Sequence, residues 1–206
     1  QFSAADLAVA AGRPLLLRQP FSPDAIDEVI LGCVIPAPDE VNIARVASLR
    51  LGCNIKTPAW TVQRNCASGM QALDTAVRNI QGGHAGLILA GGVEAMSRAP
   101  LQWRPKLVEW MAGWLKARSL KAKLQSLASL SLKDLRPVFT LLQGLTDPST
   151  GLSMGQTAEE LAYEFAINRQ SMDQFALASQ QRLDKAQKDG VFNEEITPLF
   201  SPDGKV

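Results

Sequence analysis

Histidine is nearly absent: His84 is the only one in 206 residues. Cysteine is scarce too, with Cys33, Cys53 and Cys66 lying 20 and 13 positions apart and no Cys-x-x-Cys pair among them. That combination argues against structural zinc and against a disulfide framework. No apolar run approaches the roughly 18 residues of a membrane span, and no basic-then-apolar signal pattern opens the chain. The sequence therefore predicts an intracellular, cytoplasmic protein. An excess of one charge is also missing, since the net charge is +1. No recognised nucleic-acid module accompanies the one basic stretch, so no nucleic-acid partner is predicted. What remains, 46% hydrophobic and 20% charged residues, is a globular composition. The length suits one sizeable core with room for an insertion, but not two large domains.

What is present is a cysteine on a tight turn, in Trp60-Thr61-Val62-Gln63-Arg64-Asn65-Cys66-Ala67-Ser68-Gly69-Met70. A short strand is predicted over residues 59–62, and Met70, Leu73, Val77 and Ile80 then recur at the spacing of one helical face. Gly82-Gly83 stops that helix. Cys66 is thereby expected in the first turn, where unpaired N–H groups and the positive end of the macrodipole favour a thiolate. Ser68 and Gly69 keep the turn small enough for a bulky group to approach the sulfur. The competing reading is a buried structural cysteine. Cys33, inside the apolar run 29–35, reads as a core-strand residue, and Cys53 carries no functional reading.

Elsewhere the chain alternates strand and helix. Residues 3–11 read as an alanine-rich helix capped by Ser3, and Ser22-Pro23 opens a turn of helix that feeds a strand over 29–34. A helix over 42–51, closed by Gly52, and a strand over 87–90 complete a βαβ rhythm. The prediction is an α/β core with a mostly parallel sheet. From about 98 to 150 the rhythm stops. Between Trp103 and Lys133, seven basic residues stand against one acid, Glu109. Leu107, Trp110, Met111, Trp114 and Leu115 mark an amphipathic helix there, and Leu120, Leu124 and Leu127 extend a second stripe. Three readings stay open for this stretch: a helix lying in a membrane interface, a lid packed on the core, or a patch attracting the phosphates of a nucleotide. Beyond it, Ser153-Met154-Gly155-Gln156 has the capping-box form before a helix over 157–167. A final helix over 170–188 places Phe175, Ala176, Ser179, Leu183 and Ala186 on one face.

Asn-Cys-Ala-Ser-Gly-Met at 65–70 and Gly-Gly-Val-Glu-Ala-Met-Ser at 91–97 together resemble the thiolase family of acyl-CoA acetyl- and acyltransferases. Asn42-Ile43-Ala44-Arg45 and Ser153-Met154-Gly155-Gln156-Thr157-Ala158-Glu159 extend the resemblance over nearly the whole chain. It implies the N-terminal half of a duplicated thiolase-like α/β fold. The first part of the core would occupy 1–97, an inserted basic, helical loop domain 98–156, and a return to the core with its long helix 157–206. By resemblance Cys66 attacks the 3-keto carbonyl of a 3-ketoacyl-CoA, acetyl-CoA leaves, and the acyl-enzyme passes to free CoA, as in fatty-acid β-oxidation. The Cys66 backbone N–H would serve one oxyanion hole, and Met154 and Ser153 would lie beside the acyl and pantetheine part of the substrate, although many members carry histidine where Ser153 stands. Coenzyme A is a substrate here, and no cofactor or metal is implied.

Thiolases begin earlier, with a strand ending in Arg-Thr-Pro that the resemblance places in the middle of the sheet, and this sequence starts after it. Their activating histidine, in a Gly-His-Pro motif, and a second acid–base cysteine belong to a C-terminal half that is not seen here. His84 follows the far end of the helix begun near Cys66, roughly 20 Å away and beyond direct proton transfer. The chain alone is therefore expected to be inactive. Lys56-Thr57-Pro58-Ala59 and the enlarged basic loop are similar to the thiolase subunit of trifunctional fatty-acid oxidation complexes, which implies a hydratase/dehydrogenase partner and peripheral membrane contact through 103–133. Family members are dimers or tetramers, so a homo-oligomer is also implied. Two alternatives stay open: a condensing thiolase that forms acetoacetyl-CoA, and a non-catalytic scaffold or lipid-binding subunit. The missing base favours the scaffold, and the intact turn around Cys66 opposes it.

Overall fold

The computed structural model of the chain describes residues 2–117, 119 and 130–200. At its centre lies β1 (Glu28–Gly32), paired in parallel with β2 (Ala59–Val62) on one side and β3 (Ile88–Gly92) on the other. Val29, Leu31 and the following Cys33 pack to one face and Ile30 to the other, the period-two pattern of a strand covered on both faces. On the first face sit α1 (Ala4–Leu17) and α2 (Ile43–Leu51), and on the second α3 (Ser68–Gln81). The result is a three-layer α/β/α arrangement, as the alternation of elements predicts. One expectation is corrected. The three strands are contiguous and β1 has partners on both sides, so a further strand would add outside β2 or β3, not between them.

Local chemistry explains the helix ends. Ser3 and Asp6 form a reciprocal capping box at the start of α1, with Asp6 N–H donating to Ser3 Oγ (3.1 Å) and Ser3 N–H to Asp6 Oδ2 (2.9 Å). α1 continues past the predicted end and through Pro14, because Leu16 is buried in the core and holds the last turn in place. Asn42 caps α2 by accepting from Arg45 N–H, and Gly52 closes it at φ +87°.

α3 buries a different face from the apolar one that its sequence marks. Its buried residues are Ser68, Ala72 and Ala76, whereas Met70, Leu73, Val77 and Ile80 are 75%, 55%, 52% and 47% exposed. The reason lies in the sheet, since Gly32 and Gly92, the positions that face the start of α3, offer no side chains for large residues to pack on. A Cβ added to Gly32 would lie 2.5 Å from the Ser68 carbonyl carbon. The face of small residues therefore seats backbone against backbone.

After β3 the chain makes an excursion closed by a short antiparallel ladder, β4 (Leu101–Gln102) with β5 (Val138–Phe139). Two-residue strands are too short to show periodicity, and the sequence reading missed them. Between them, α4 (Pro105–Lys116) is the predicted amphipathic helix, but its stripe divides. Leu107 is buried and the Trp110 and Trp114 rings lie 5.1 Å apart, while Val108, Met111 and Leu115 are exposed. Asp134 ties the returning arm to α4, accepting from Lys106 Nζ (2.8 Å) and from the Ser131 N–H and hydroxyl. Those donors, Lys106 foremost, hold its carboxyl well below the usual carboxylate range. Leu120, Leu124 and Leu127, with Arg118, Lys121 and Lys123, lie outside the described residues.

α5 (Thr140–Gly144), α6 (Met154–Glu164) and α7 (Arg169–Lys188) follow. α6 begins three residues before the prediction because Ser153 itself is the cap, accepting from Gln156 N–H. Neither α6 nor α7 buries a residue, and Phe175, on the face it shares with Leu183, is 76% exposed. The segment meets α1 and the residue that follows it through its tail, where Arg18 Nη1 donates to Glu194 O (3.0 Å) and residues 197–200 border a groove along α1. Among the described residues no helix is long and apolar enough to cross a membrane.

Candidate active site

Three chain segments leave the sheet at its C-terminal edge: 32–34 after β1, 65–69 into α3, and 92–94 after β3. They enclose an open cavity of about 340 Å³ lined by Gly32, Cys33, Val34, Asn65, Cys66, Ser68, Gly69, Gly92, Val93 and Glu94. This edge is where ligands bind in parallel α/β sheets, because the loops converge there.

Cys66 stands on the turn between β2 and α3. Asn65 adopts φ +48°, a left-handed conformation that asparagine tolerates better than most residues. The turn is knotted from below by Ser68, which is 4% exposed: its hydroxyl accepts from Arg64 N–H (2.8 Å) and donates to Asn65 O (2.6 Å). Ala67 and Ser68 N–H groups donate to Arg64 O and Asn65 O, each at 3.1 Å. Cys66 sits at the crest of this knot and is exposed, so the buried structural reading is set aside. Its position also shifts by a little: Ala67 is the helix cap and Ser68 the first helical residue, so Cys66 precedes the first turn instead of lying in it.

The cavity holds a second thiol. Cys33 is only 2% exposed and follows β1 instead of lying within it, donating its backbone N–H to Val62 O (3.1 Å). Its Sγ donates to Glu94 Oε1 (3.5 Å), and burial, reinforced by the Glu94 charge, pushes the thiol up to about 12. Glu94 also accepts from Val34 N–H at Oε2 (2.8 Å) and from Ile35 N–H at Oε1 (3.1 Å). It thus ties the exits of the two adjacent strands together. A matching glutamate works at the opposite end of β1, where Glu28 accepts from Trp60 Nε1 and Asn79 Nδ2, each at 2.7 Å.

Of the three candidate catalytic and substrate-binding residues, Cys66, Ser153 and Met154, only Cys66 lines this cavity. Ser153 spends its hydroxyl as the α6 cap, and Met154, 49% exposed, donates its N–H to Leu145 O; neither borders the cavity. His84 follows the far end of α3, whose fourteen residues span about 21 Å, and donates its N–H to Asn79 O. Sequence reasoning assigned no role to Gly32 or Glu94. The signal for Glu94 was available, as an acid placed two residues beyond the end of an apolar strand.

Comparison with known proteins gives the family. The family model for the thiolase N-terminal domain matches residues 1–206. The 3-ketoacyl-CoA thiolase of Aliivibrio fischeri is 36% identical over 197 residues, covering 96% of this chain and 44% of that protein. That of Colwellia psychrerythraea is also 36% identical, over 198 residues, covering 96% and 45%. Among solved structures, the acetyl-CoA acetyltransferase of Bacillus anthracis superimposes with a TM-score of 0.81 at 32% identity, covering all of this chain and 47% of the other. Human mitochondrial 3-ketoacyl-CoA thiolase in complex with CoA gives 0.77 at 33% identity, covering 97% and 46%. The chain belongs to the thiolase family and has the fold of its N-terminal domain. It spans somewhat under half the length of these relatives.

Proposed function

We propose that this chain is the nucleophile-bearing half of an acyl-CoA C-acyltransferase, a 3-ketoacyl-CoA thiolase. The observation that carries the reading is the exposed Cys66 on its knotted turn, over an open cavity at the C-terminal edge of the sheet. In the proposed reaction the Cys66 sulfur bonds to the 3-keto carbon and the C2–C3 bond breaks. Acetyl-CoA departs after its carbanion takes a proton, and the CoA thiol then removes the acyl group from sulfur. The Cys66 backbone N–H is proposed as an oxyanion donor, and Met154 and Ser153 as contacts for the acyl and pantetheine chain. Coenzyme A enters as substrate.

A thiol nucleophile needs a base and its leaving group an acid, and no histidine borders the cavity among the described residues. We assign both roles to the part of the relatives' length that this chain does not span, and we expect a homo-oligomer. The test is CoA-dependent release of acetyl-CoA from a 3-ketoacyl-CoA by the natural gene product isolated from its source cells. Cys66→Ala should lower that rate at least ~10³-fold with the fold retained. Undiminished cleavage in Cys66→Ala overturns the assignment, and a gene product that binds acyl-CoA without cleaving it supports a scaffold instead.

A further inference from the structure

We propose that Glu94 is a positioning residue that, added to the burial of Cys33, keeps that thiol unreactive and leaves Cys66 as the reactive thiol of the cavity. The proposal rests on the reading of Cys66 as nucleophile. Two thiols line one cavity of about 340 Å³, and an acyl group on the wrong sulfur would end in a dead adduct. The two differ in what they face. Cys66 stands exposed on its turn, whereas the Cys33 Sγ lies against the Glu94 carboxylate at 3.5 Å.

That carboxylate is fixed from two other directions, by Val34 N–H at 2.8 Å and Ile35 N–H at 3.1 Å, so it does not swing away. Deprotonating Cys33 would place a second negative charge beside Glu94 in a site 2% exposed to water. The same contacts occupy the Val34 and Ile35 N–H groups, which therefore do not compete with the turn at Cys66 for a substrate oxygen. Glu94 touches neither reacting sulfur nor substrate in this role; it acts through Cys33 and through the loop that walls the cavity.

The experiment is alkylation of the full chain by iodoacetamide, with the adduct on each cysteine followed by peptide mass spectrometry. Cys53, buried and 7% exposed away from the cavity, serves as the internal control. In the native chain Cys66 should react at least 100-fold faster than Cys33. Glu94→Gln, equal in shape but uncharged, should raise Cys33 labelling more than tenfold while Cys66 stays within threefold and Cys53 does not change. Glu94→Asp, smaller but still charged, should keep Cys33 within threefold of native.

Comparable native rates at Cys33 and Cys66 overturn the proposal, and they do so without any variant having to fold. So does a Glu94→Asp chain as reactive at Cys33 as Glu94→Gln, which would mean that shape and not charge is at work. A parallel rise at Cys53 overturns it as well, by assigning the effect to general loosening. Labelling needs no CoA substrate, so loss of the thiolase reading in the cleavage assay and loss of this one are separate results.

Discussion

Gly32 shows how far one missing side chain shapes the site. A Cβ there would meet the Ser68 carbonyl carbon at 2.5 Å, Gly69 N at 2.6 Å and Ser68 O at 2.7 Å, all backbone atoms that no rotamer change can move. Gly32→Ala should therefore push the start of α3, and Cys66 with it, off the sheet. The expected cost is about 3 kcal/mol in urea unfolding, at the upper end of ordinary overpacking. Gly69→Ala, whose Cβ would meet nothing within 4 Å, should change stability by less than ~1 kcal/mol and makes the matched control. If both variants unfold alike, the close approach is not what seats the turn. Cys66 was legible in the sequence because its neighbours announce a strand, a turn and a helix in eleven residues. Gly32 was not, because a close approach between β1 and α3 exists only once the strands are ordered side by side.

At the scale of elements, periodicity and caps located most of the helices, and the cap of α1 carries a pH dependence. The Ser3 backbone N–H, then the Arg50 guanidinium, hold the Asp6 carboxyl below its ordinary range. A lowered folded value means that the unfolded chain binds the proton more readily. The stability contributed by Asp6 is thus fully present above about pH 4 and is lost as pH falls through the lower folded value. Asp6→Asn should remove that slope, so native and variant unfolding curves should converge between pH 4 and pH 2, and parallel curves over that interval would refute the linkage. Ser3→Ala should cost about 1 kcal/mol at neutral pH by removing the cap itself. Elements without such local signals were harder to read. The β4–β5 ladder is too short for a pattern, and the end of α1 is set by the burial of Leu16, not by Pro14.

At the scale of the whole molecule, the apolar stripe on α3 is legible in the sequence as one helical face, while the surface that face meets is not. Met70, Leu73, Val77 and Ile80 follow helical spacing closely enough to read as the buried face, yet two alanines and a serine take that place and the stripe faces solvent. Periodicity reports that a face is apolar; it does not report which surface covers it. Four large side chains exposed side by side on one helix form a patch of the kind that soluble monomers seldom leave open. The 206-residue chain in isolation should therefore self-associate, with a sedimentation coefficient that rises with concentration. Leu73→Lys combined with Val77→Lys alters only outward positions, leaving Ala72 and Ala76 against the sheet. The double variant should keep its helical circular dichroism and sediment as a monomer over the same range. A native chain that stays monomeric throughout would show that water tolerates the stripe as it stands, and a double variant that loses its helix would show that the stripe supports α3 itself.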